Sequence, residues 1–374
     1  MDNREACIIL NLIGGIGSKR FLSLLEYFKE PKEIFNPQNR EKLKQFNFPE
    51  TIIEKIMNWE SIVSLEDELK LVDISGTKII TILDEDYPKD LKTATSPPYV
   101  LYVRGKLPDF EKSISIVGSR RTTNYGRKMG QHFAESFSFA NWVVVSGLAY
   151  GIDAIAHKAV VDTDGITVAV LGGGLARLHP QDHAKLARQI IEKGGAIISE
   201  FPMNFPPCKH SFPMRNRIVA WLTKGTLVIE AGLKSGSMIT TNFALEEGRF
   251  VFAVPGQADA PQSRGCNDLI KKGAKLVENI DDIFEEFEFL PGFGQSDDLF
   301  ANNMLDTEKK QENFLTLSED EAIIVSFLKE NKIMTVDELA VRTGFKSSEL
   351  LSKLLILELK HQVKELPGKQ FCLY

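Results

Sequence analysis

Short apolar runs alternate with longer amphipathic stretches between residue 113 and about residue 287. The runs are rich in valine and isoleucine, which is typical of strands buried on both faces of a parallel sheet. The predicted strands are Ile114–Val117, Trp142–Ser146, Thr167–Leu171, Ala196–Ser199, Thr226–Ile229, Phe250–Val254 and Lys275–Val277. Strands and helices that alternate in this way form an α/β fold, in which helices cover both faces of a mainly parallel sheet. Ligands of such sheets bind beyond the carboxyl ends of the strands.

The sequence outside this pattern divides the chain into further predicted parts. The parts are a helical region (residues 1–65), the sheet domain with a bridge segment at its start (66–288), a polar, aperiodic linker (289–316) and a C-terminal domain (317–374). Three helical stretches and a hairpin at residues 363–373 indicate that the C-terminal domain is a small winged helix. A capping box at Thr335–Glu338 opens its second helix, Gly344 ends that helix, and Ser347 or Ser348 caps the third.

The helical region contains a glycine-rich turn before an apolar helix, in the run L-I-G-G-I-G-S-K-R that begins at Leu12. This run resembles a helix-hairpin-helix element, in which the amides of the hairpin face a DNA phosphate. A pair of helices that only packs together has the same pattern, so both interpretations stay open.

Composition and charge restrict the class of protein. The chain has 374 residues, a net charge of −6 and four cysteines without C-x-x-C spacing, which argues against a zinc site or a disulfide framework. No apolar run approaches the length of a membrane span, so we expect a cytoplasmic protein with no membrane contact. Basic residues nevertheless cluster, which leaves room for a basic face on an acidic protein. The clustered residues are Arg120, Arg121, Arg127, Lys128, Lys209, Arg215 and Arg217.

Glycine-marked loops follow four of the predicted strands. In the first, Gly118-Ser-Arg-Arg, glycine allows a tight turn, the amides that open the next helix form an anion site, and Arg120 or Arg121 can reach the same anion. The other loops are Ser146–His157, Gly172–Leu175 and Glu230–Thr241. Each signal is weak alone because packing also requires glycine, but together they favour an extended phosphate-binding ridge.

The segment from Pro206 to Ala220 combines an aromatic ring with basic side chains. Bases stack on aromatic rings such as that of Phe212, and nearby arginines can bind backbone phosphates. Lys209 lies in the preceding loop and favours a ligand contact. The alternative is that Phe212 belongs to the core while Arg215 and Arg217 form internal salt bridges, and for Phe212 the two interpretations are about equally supported.

Known nucleotide-binding and catalytic patterns are absent from the sequence. Neither G-x-G-x-x-G nor G-x-x-x-x-G-K-[ST] fits, so no cofactor, metal or catalytic residue is predicted. Several titratable residues have a simpler structural explanation. We expect Asp153 and His157 to be a helix-face pair, His179 and His183 to be surface residues, and Glu200 and Glu230 to form structural hydrogen bonds.

Taken together, these motifs resemble the DprA/Smf family (DNA-processing protein A), bacterial proteins of natural transformation that bind single-stranded DNA and load the recombinase RecA. The resemblance covers most of the chain. Its motifs are D-Y-P-K-D-L from Asp86, P-P-Y-V-L-Y-V-R-G from Pro97, G-S-R from Gly118, S-G-x-A-x-G-I-D from Ser146, S-E from Ser199, F-P-x-R-N-R from Phe212, V-I-E-A from Val228, K-S-G-S from Lys234, R-x-V-F-A-V-P-G from Arg249 and S-x-G-x-N-x-L-I from Ser263.

The resemblance implies an extended Rossmann-like, doubly wound sheet that binds single-stranded DNA without sequence preference. It also implies a homodimer, a sterile-alpha-motif-like or helix-hairpin-helix N-terminal domain, a C-terminal winged helix, and RecA as a partner. The predicted DNA-binding residues are Gly118, Ser119, Arg120, Arg121, Ser146, Gly147, Lys209, Phe212, Arg215, Arg217, Ser235, Gly236, Ser237 and Thr240.

One segment departs from the family pattern. The family usually has G-x-D-x-x-Y-P after the third strand, whereas this chain has Gly174-Leu-Ala-Arg-Leu-His-Pro180. Two other function classes also remain open. A nucleotide hydrolase on a related Rossmann-like scaffold would need the glutamate of P-G-G-x-G-T-x-x-E, which the loop at Ser235 lacks. A protein–protein adaptor with a vestigial pocket would not bind oligonucleotides.

Overall fold

The computed structural model describes residues 1–287, 319–331 and 333–345, together with residues 350, 353, 354, 357, 363–366 and 370–373. The chain forms two units, Met1–Glu286 and Phe287–Tyr374. The predicted linker and the cap at Ser347 or Ser348 lie outside the described residues. Among the residues that are described, no helix is both long enough and apolar enough to cross a bilayer.

The first unit begins with helices and short 3₁₀ turns. The helices are α1 (Asn3–Ile13), α2 (Ser18–Phe28), α3 (Arg40–Leu43), α4 (Glu50–Met57) and α5 (Leu65–Ile74). A capping box formed by Asp2 and Glu5 opens α1, and Gly14 and Gly15 turn the chain into α2 with φ angles of 69° and 76°. Helical structure therefore continues past residue 65.

A nine-stranded sheet forms the centre of the first unit. Its strands are β1 (Thr77–Thr81), β2 (Val100–Gly105), β3 (Ser113–Val117), β4 (Val143–Ser146), β5 (Thr167–Val170), β6 (Ala196–Ser199), β7 (Gly225–Val228), β8 (Phe250–Ala253) and β9 (Lys275–Leu276). The seven predicted strands are confirmed as β3 to β9, which pair in parallel. Strands β1 and β2 were not predicted, and β2 pairs antiparallel with both β1 and β6.

Helices α6 to α13 connect or follow these strands, and the α/β prediction is thereby confirmed. They are α6 (Lys89–Lys92), α7 (Asn124–Phe139), α8 (Ile152–Asp162), α9 (Ala184–Glu192), α10 (Ser211–Trp221), α11 (Ser237–Glu246), α12 (Arg264–Lys271) and α13 (Asp281–Phe287). The strand order is β1-β2-β6-β5-β4-β3-β7-β8-β9, so the chain moves outward from β3 first on one side and then on the other. The point where such an order reverses, between β3 and β7, opens a crevice at the carboxyl ends of the strands.

The N-terminal helices and the sheet share one hydrophobic core. The ring of Phe21 stacks on Tyr99 with centroids 4.1 Å apart, and the Tyr99 hydroxyl donates to the carbonyl of Ile16 at 3.2 Å. Polar contacts join the same regions, since Glu68 accepts a hydrogen bond from the Met203 amide at 2.7 Å.

The second unit has the elements of a winged helix. Its described elements are α14 (Glu319–Asn331), β10 (Ile333–Thr335), α15 (Val336–Thr343), β11 (Val363–Leu366) and β12 (Gln370–Leu373). The predicted hairpin is confirmed, and β10 adds a third strand in the order β10-β12-β11. The capping box of Thr335 and Glu338 is present, and Gly344 ends α15 in a left-handed conformation.

Candidate nucleic-acid interface

A cleft of about 600 Å³ lies at the switch point between β3 and β7. The loops that follow β3, β4 and β7 form its walls, and α10 contributes side chains. Of the residues predicted from the sequence, those that line the cleft are Gly118, Ser119, Arg120, Arg121, Gly147, Arg215, Ser235, Gly236, Ser237 and Thr240. The structure thus brings together residues from three separate loops.

The backbone of the first loop is fixed by its neighbours. The Ser119 amide donates to the carbonyl of Glu230 at 2.6 Å, and the Ser119 carbonyl accepts from the Ile152 amide at 3.1 Å. The packing is tight, because a Cβ on Gly118 would lie 2.6 Å from the Ile152 side chain. Arg120 and Arg121 are exposed on this fixed loop. Their charges therefore face solvent. Because the backbone is already ordered, an anion that bound here would not have to offset the entropy lost when a flexible loop becomes fixed.

Glu230 supports the same loop from the end of β7. Its carboxylate accepts a hydrogen bond from the Thr123 hydroxyl at 2.8 Å and from the Thr123 amide at 3.2–3.3 Å. The Thr123 hydroxyl in turn caps α7 by accepting from the Gly126 amide at 3.1 Å. The expected structural role of Glu230 is confirmed.

Phe212 stands beside the cleft at the start of α10 and is half-buried. One side of the ring packs on the backbone, since a Cβ on Gly172 would lie 2.8 Å from its Cδ1 atom. The Arg120 guanidinium lies 5.5 Å from the ring centroid, in cation–π geometry. One part of the ring is therefore packed and another part is accessible, so Phe212 is not wholly a core residue. Lys209 is exposed just before α10 and makes no ion pair with a described residue.

Arg215 is buried and holds the wall of the cleft. Its guanidinium donates to the carbonyls of Gly147 and Val170, at the ends of β4 and β5. Burial lowers the pKa of Arg215 to about 10, while the nearby Asp153 carboxylate opposes that change. Arg215 therefore lines the cleft while its hydrogen bonds fix two strand ends.

Asp153 and His157 are structural, although they do not form the expected pair. Asp153 accepts hydrogen bonds from the amides of Gly147 and Ala149 at 3.2 and 3.4 Å, and burial raises its pKa. His157 is fully buried and hydrogen-bonds to the Thr167 hydroxyl at 2.7 Å. Burial lowers the pKa of His157 to about 3. Within the described part of the chain, no group of acidic, histidine or cysteine side chains could hold a metal ion.

Two of the predicted site residues are buried and do not line the cleft. Arg217 is buried, forms an ion pair with Glu200 and donates to the Ser96 carbonyl at 2.8 Å. Ser146 is fully buried, and its hydroxyl donates to the Ile116 carbonyl at 2.6 Å. Both side chains are occupied by internal contacts, so we leave them out of the candidate interface. The expected structural role of Glu200 is confirmed by the same ion pair.

The loop after β7 forms the opposite wall. The hydroxyls of Ser235 and Ser237 lie 2.7 Å apart at the start of α11, and the Ser235 hydroxyl accepts from the Ser237 amide at 3.4 Å. Lys234 is exposed on the same loop and lines the cleft, although it was not among the predicted site residues. Asn216 was also missed, and its amide group donates to the Gly236 carbonyl at 3.3 Å. Both belong to sequence motifs already recognised, K-S-G-S and R-N-R, which is the signal that could have identified them.

Comparisons with known proteins agree with this architecture. Residues 78–288 match the model of the family "DNA recombination-mediator protein A", and residues 309–369 match that of the DprA winged helix domain. Protein Smf from Escherichia coli is 38% identical over 309 residues, which cover 82% of this chain and 80% of that protein. DNA processing protein DprA from Bacillus subtilis is 41% identical over 213 residues, which cover 56% of this chain and 71% of that protein.

Two solved structures are also similar. DNA processing protein A from Streptococcus pneumoniae aligns with a TM-score of 0.64 and 32% identity, covering 76% of this chain and 98% of that chain. The protein from Helicobacter pylori, whose structure was described for its single-stranded DNA binding mode, aligns with a TM-score of 0.51 and 30% identity, covering 56% of this chain and 95% of that chain. By its sequence, its sheet and its winged helix, the chain belongs to the DNA recombination-mediator protein A family, the DprA/Smf proteins.

Proposed function

We propose that this chain binds single-stranded DNA without sequence preference, through the cleft between β3 and β7 and the ring of Phe212 beside it. The observation that carries the proposal is the contact between Arg120 and Phe212, which puts an exposed cation 5.5 Å from an accessible aromatic ring. A strand of DNA needs both groups, because its phosphates bind cations and its bases stack on rings.

The walls of the cleft support the same assignment. Arg120, Arg121 and Lys234 supply exposed positive charge, while the hydroxyls of Ser235, Ser237 and Thr240 at the start of α11 supply hydrogen-bonding groups. These groups recognise phosphate and not base edges, so the binding is independent of sequence. Lys209 adds a further cation beside Phe212 along the chain.

Fluorescence anisotropy with labelled oligo-dT over a series of salt concentrations tests this proposal. Neutralising one phosphate contributes about −0.7 to the slope of log K against log salt for a single strand. We expect Arg120→Ala and Lys209→Ala to lower both the affinity and the magnitude of that slope. Lys158→Ala is the matched control, because Lys158 is an exposed cation paired with Asp162 one turn along α8. Unchanged affinity in both test variants would overturn the site assignment.

Phe212→Ala tests the stacking contribution separately. We expect it to cost about 1–3 kcal/mol of binding free energy per stacked base, with the salt slope unchanged because stacking releases few ions. Phe139→Ala is the control, since Phe139 is an exposed phenylalanine at the far end of α7. A slope that falls as far as in Arg120→Ala would contradict the stacking role.

We further propose that the bound strand is protected and passed to RecA, and that the protein acts as a homodimer during transformation and recombination. Membership of the family supports this part of the proposal. Three assays test it: nuclease protection of oligo-dT, RecA filament formation on strands coated with a single-strand binding protein, and light scattering with and without DNA. A hydrolase would instead release free base from nucleoside monophosphates, which chromatography detects.

A further inference from the structure

The segment after β5 forms a rim next to Phe212. We call residues 174–180 the rim segment. Its backbone is tied to the chain that leads into α10, because the Gly174 amide donates to the Phe205 carbonyl at 2.9 Å and the Ala176 amide to the Met203 carbonyl at 3.0 Å. The rim segment and the base of Phe212 are therefore fixed relative to each other.

His179 extends from the rim segment toward Phe212. The ring centroids lie 6.0 Å apart and the planes are inclined by 50°. His179 is exposed and makes no hydrogen bond with a described residue. The Arg120 guanidinium lies within 5.5 Å of the same phenyl ring. Phe212 therefore has two exposed groups beside it, one from the loop after β3 and one from the rim segment.

We propose that the rim segment is a further part of the nucleic-acid interface, in which His179 contacts the base that stacks on Phe212 and Arg177 binds the phosphate of the neighbouring nucleotide. This inference rests on the proposed function. Histidine is among the side chains on which unpaired bases stack. Arg177 is exposed, and its guanidinium forms no ion pair or hydrogen bond with a described residue, so it is available for a phosphate.

Compared with the family pattern, the rim segment lacks an acidic residue, which increases its affinity for a polyanion. Against the pattern G-x-D-x-x-Y-P, Ala176 stands at the position of the aspartate and His179 at that of the tyrosine. Ala176 is exposed, so a carboxylate there would face the same solvent as Arg177. The present sequence removes a negative charge and keeps a ring beside Phe212. Ala176→Asp therefore reverses the charge effect without removing any side chain from the core.

Oligo-dT anisotropy over a salt series separates the contributions. We expect Arg177→Ala to lower the magnitude of the salt slope by about 0.7, and Ala176→Asp to weaken binding several-fold at low salt. We expect His179→Ala to weaken binding about fivefold or more at an unchanged slope, and His179→Tyr to restore it because a ring is retained. Arg188→Ala and His132→Ala are matched controls, since both residues are exposed and His132 also lies beside a phenylalanine, at 5.8 Å.

The outcomes distinguish this inference from the proposed function. Wild-type affinities and slopes in Arg177→Ala, Ala176→Asp and His179→Ala, with binding still weakened in Arg120→Ala and Phe212→Ala, would overturn the inference alone. Retained binding in those two variants as well would overturn the proposed function.

Chemical footprinting of the unmodified protein gives a second readout that does not depend on a variant. Diethylpyrocarbonate modifies exposed histidines, and mass spectrometry measures the rate at each one. We expect saturating oligo-dT to slow the modification of His179 and to leave that of His132 unchanged. Equal rates at His179 with and without oligo-dT would contradict the contact.

Discussion

The guanidinium of Arg215 occupies the space where a side chain at position 147 would begin. A Cβ on Gly147 would lie 2.5 Å from the Cζ and Nη1 atoms of Arg215, which leaves no room for a methyl group. The contact joins α10 to the end of β4 and forms the floor of the cleft.

Gly147→Ala is therefore expected to destabilise the protein and to weaken DNA binding together. Overpacking a buried contact of this kind costs about 1–3 kcal/mol, and the displaced guanidinium would lose its strand-end carbonyls. Urea unfolding and oligo-dT anisotropy measure the two effects. Gly236→Ala is the control for stability, because a Cβ there has nothing within 4 Å and its φ is −62°. Equal stability of the two variants would refute the role of the contact.

Replacing Arg217 should affect stability and not the salt dependence of DNA binding. Arg217→Met leaves Glu200 buried without its partner, and breaking a buried ion pair costs about 3–5 kcal/mol. Lys158→Ala removes an exposed pair with Asp162 and should cost at most about 1 kcal/mol. A smaller salt slope for folded Arg217→Met would show that Arg217 binds phosphate after all.

The carboxylate of Glu230 should matter for DNA binding although it is buried. Glu230→Ala removes the acceptor for Thr123 and loosens the loop that carries Arg120, so we expect weaker oligo-dT binding with an unchanged salt slope. Glu247→Ala is the matched control, since Glu247 also accepts a backbone amide, that of Thr95 at 2.6 Å. It should lower the melting temperature without changing the affinity. Equal affinities of the two variants would contradict the support role.

Mild acid should destabilise the first unit through His157. The folded state keeps this imidazole neutral down to about pH 3, whereas the unfolded chain takes up a proton below about pH 6.5. Its contribution to the free energy of unfolding is therefore complete above pH 6.5 and falls by about 1.4 kcal/mol per pH unit below it. His157→Gln should have a flatter stability profile between pH 7.5 and 5, and the exposed control His132→Gln should not. Parallel profiles for wild type and His157→Gln would contradict this assignment.

Much of the sheet could be predicted from the sequence because β3 to β8 are largely buried and their apolar runs are bounded by glycine and polar residues. Strand β2 was missed since its start follows Pro97 and Pro98, which suggest a turn, and its partners β1 and β6 are distant in sequence. The loops of the cleft could also be predicted, because each is marked by a short sequence motif that is contiguous in the chain.

The roles of individual arginines could not be predicted in this way. Arg215 and Arg217 are two residues apart in one motif, yet one lines the cleft and the other pairs with Glu200 on a different side of α10. Which of them lines the cleft depends on tertiary packing, and no local pattern records that. The position of His179 beside Phe212 likewise depends on how the rim segment is tied to the chain before α10.

The stacking of Phe21 on Tyr99 limits where the protein can be truncated. The family match begins at residue 78, yet a protein that started there would lose the ring that covers Tyr99, the carbonyl that accepts its hydroxyl, and the carboxylate that binds the Met203 amide. The first helices thus complete the sheet from outside the matched segment. If relatives exchanged their N-terminal helices, the residues around Tyr99 that contact those helices would have to change with them.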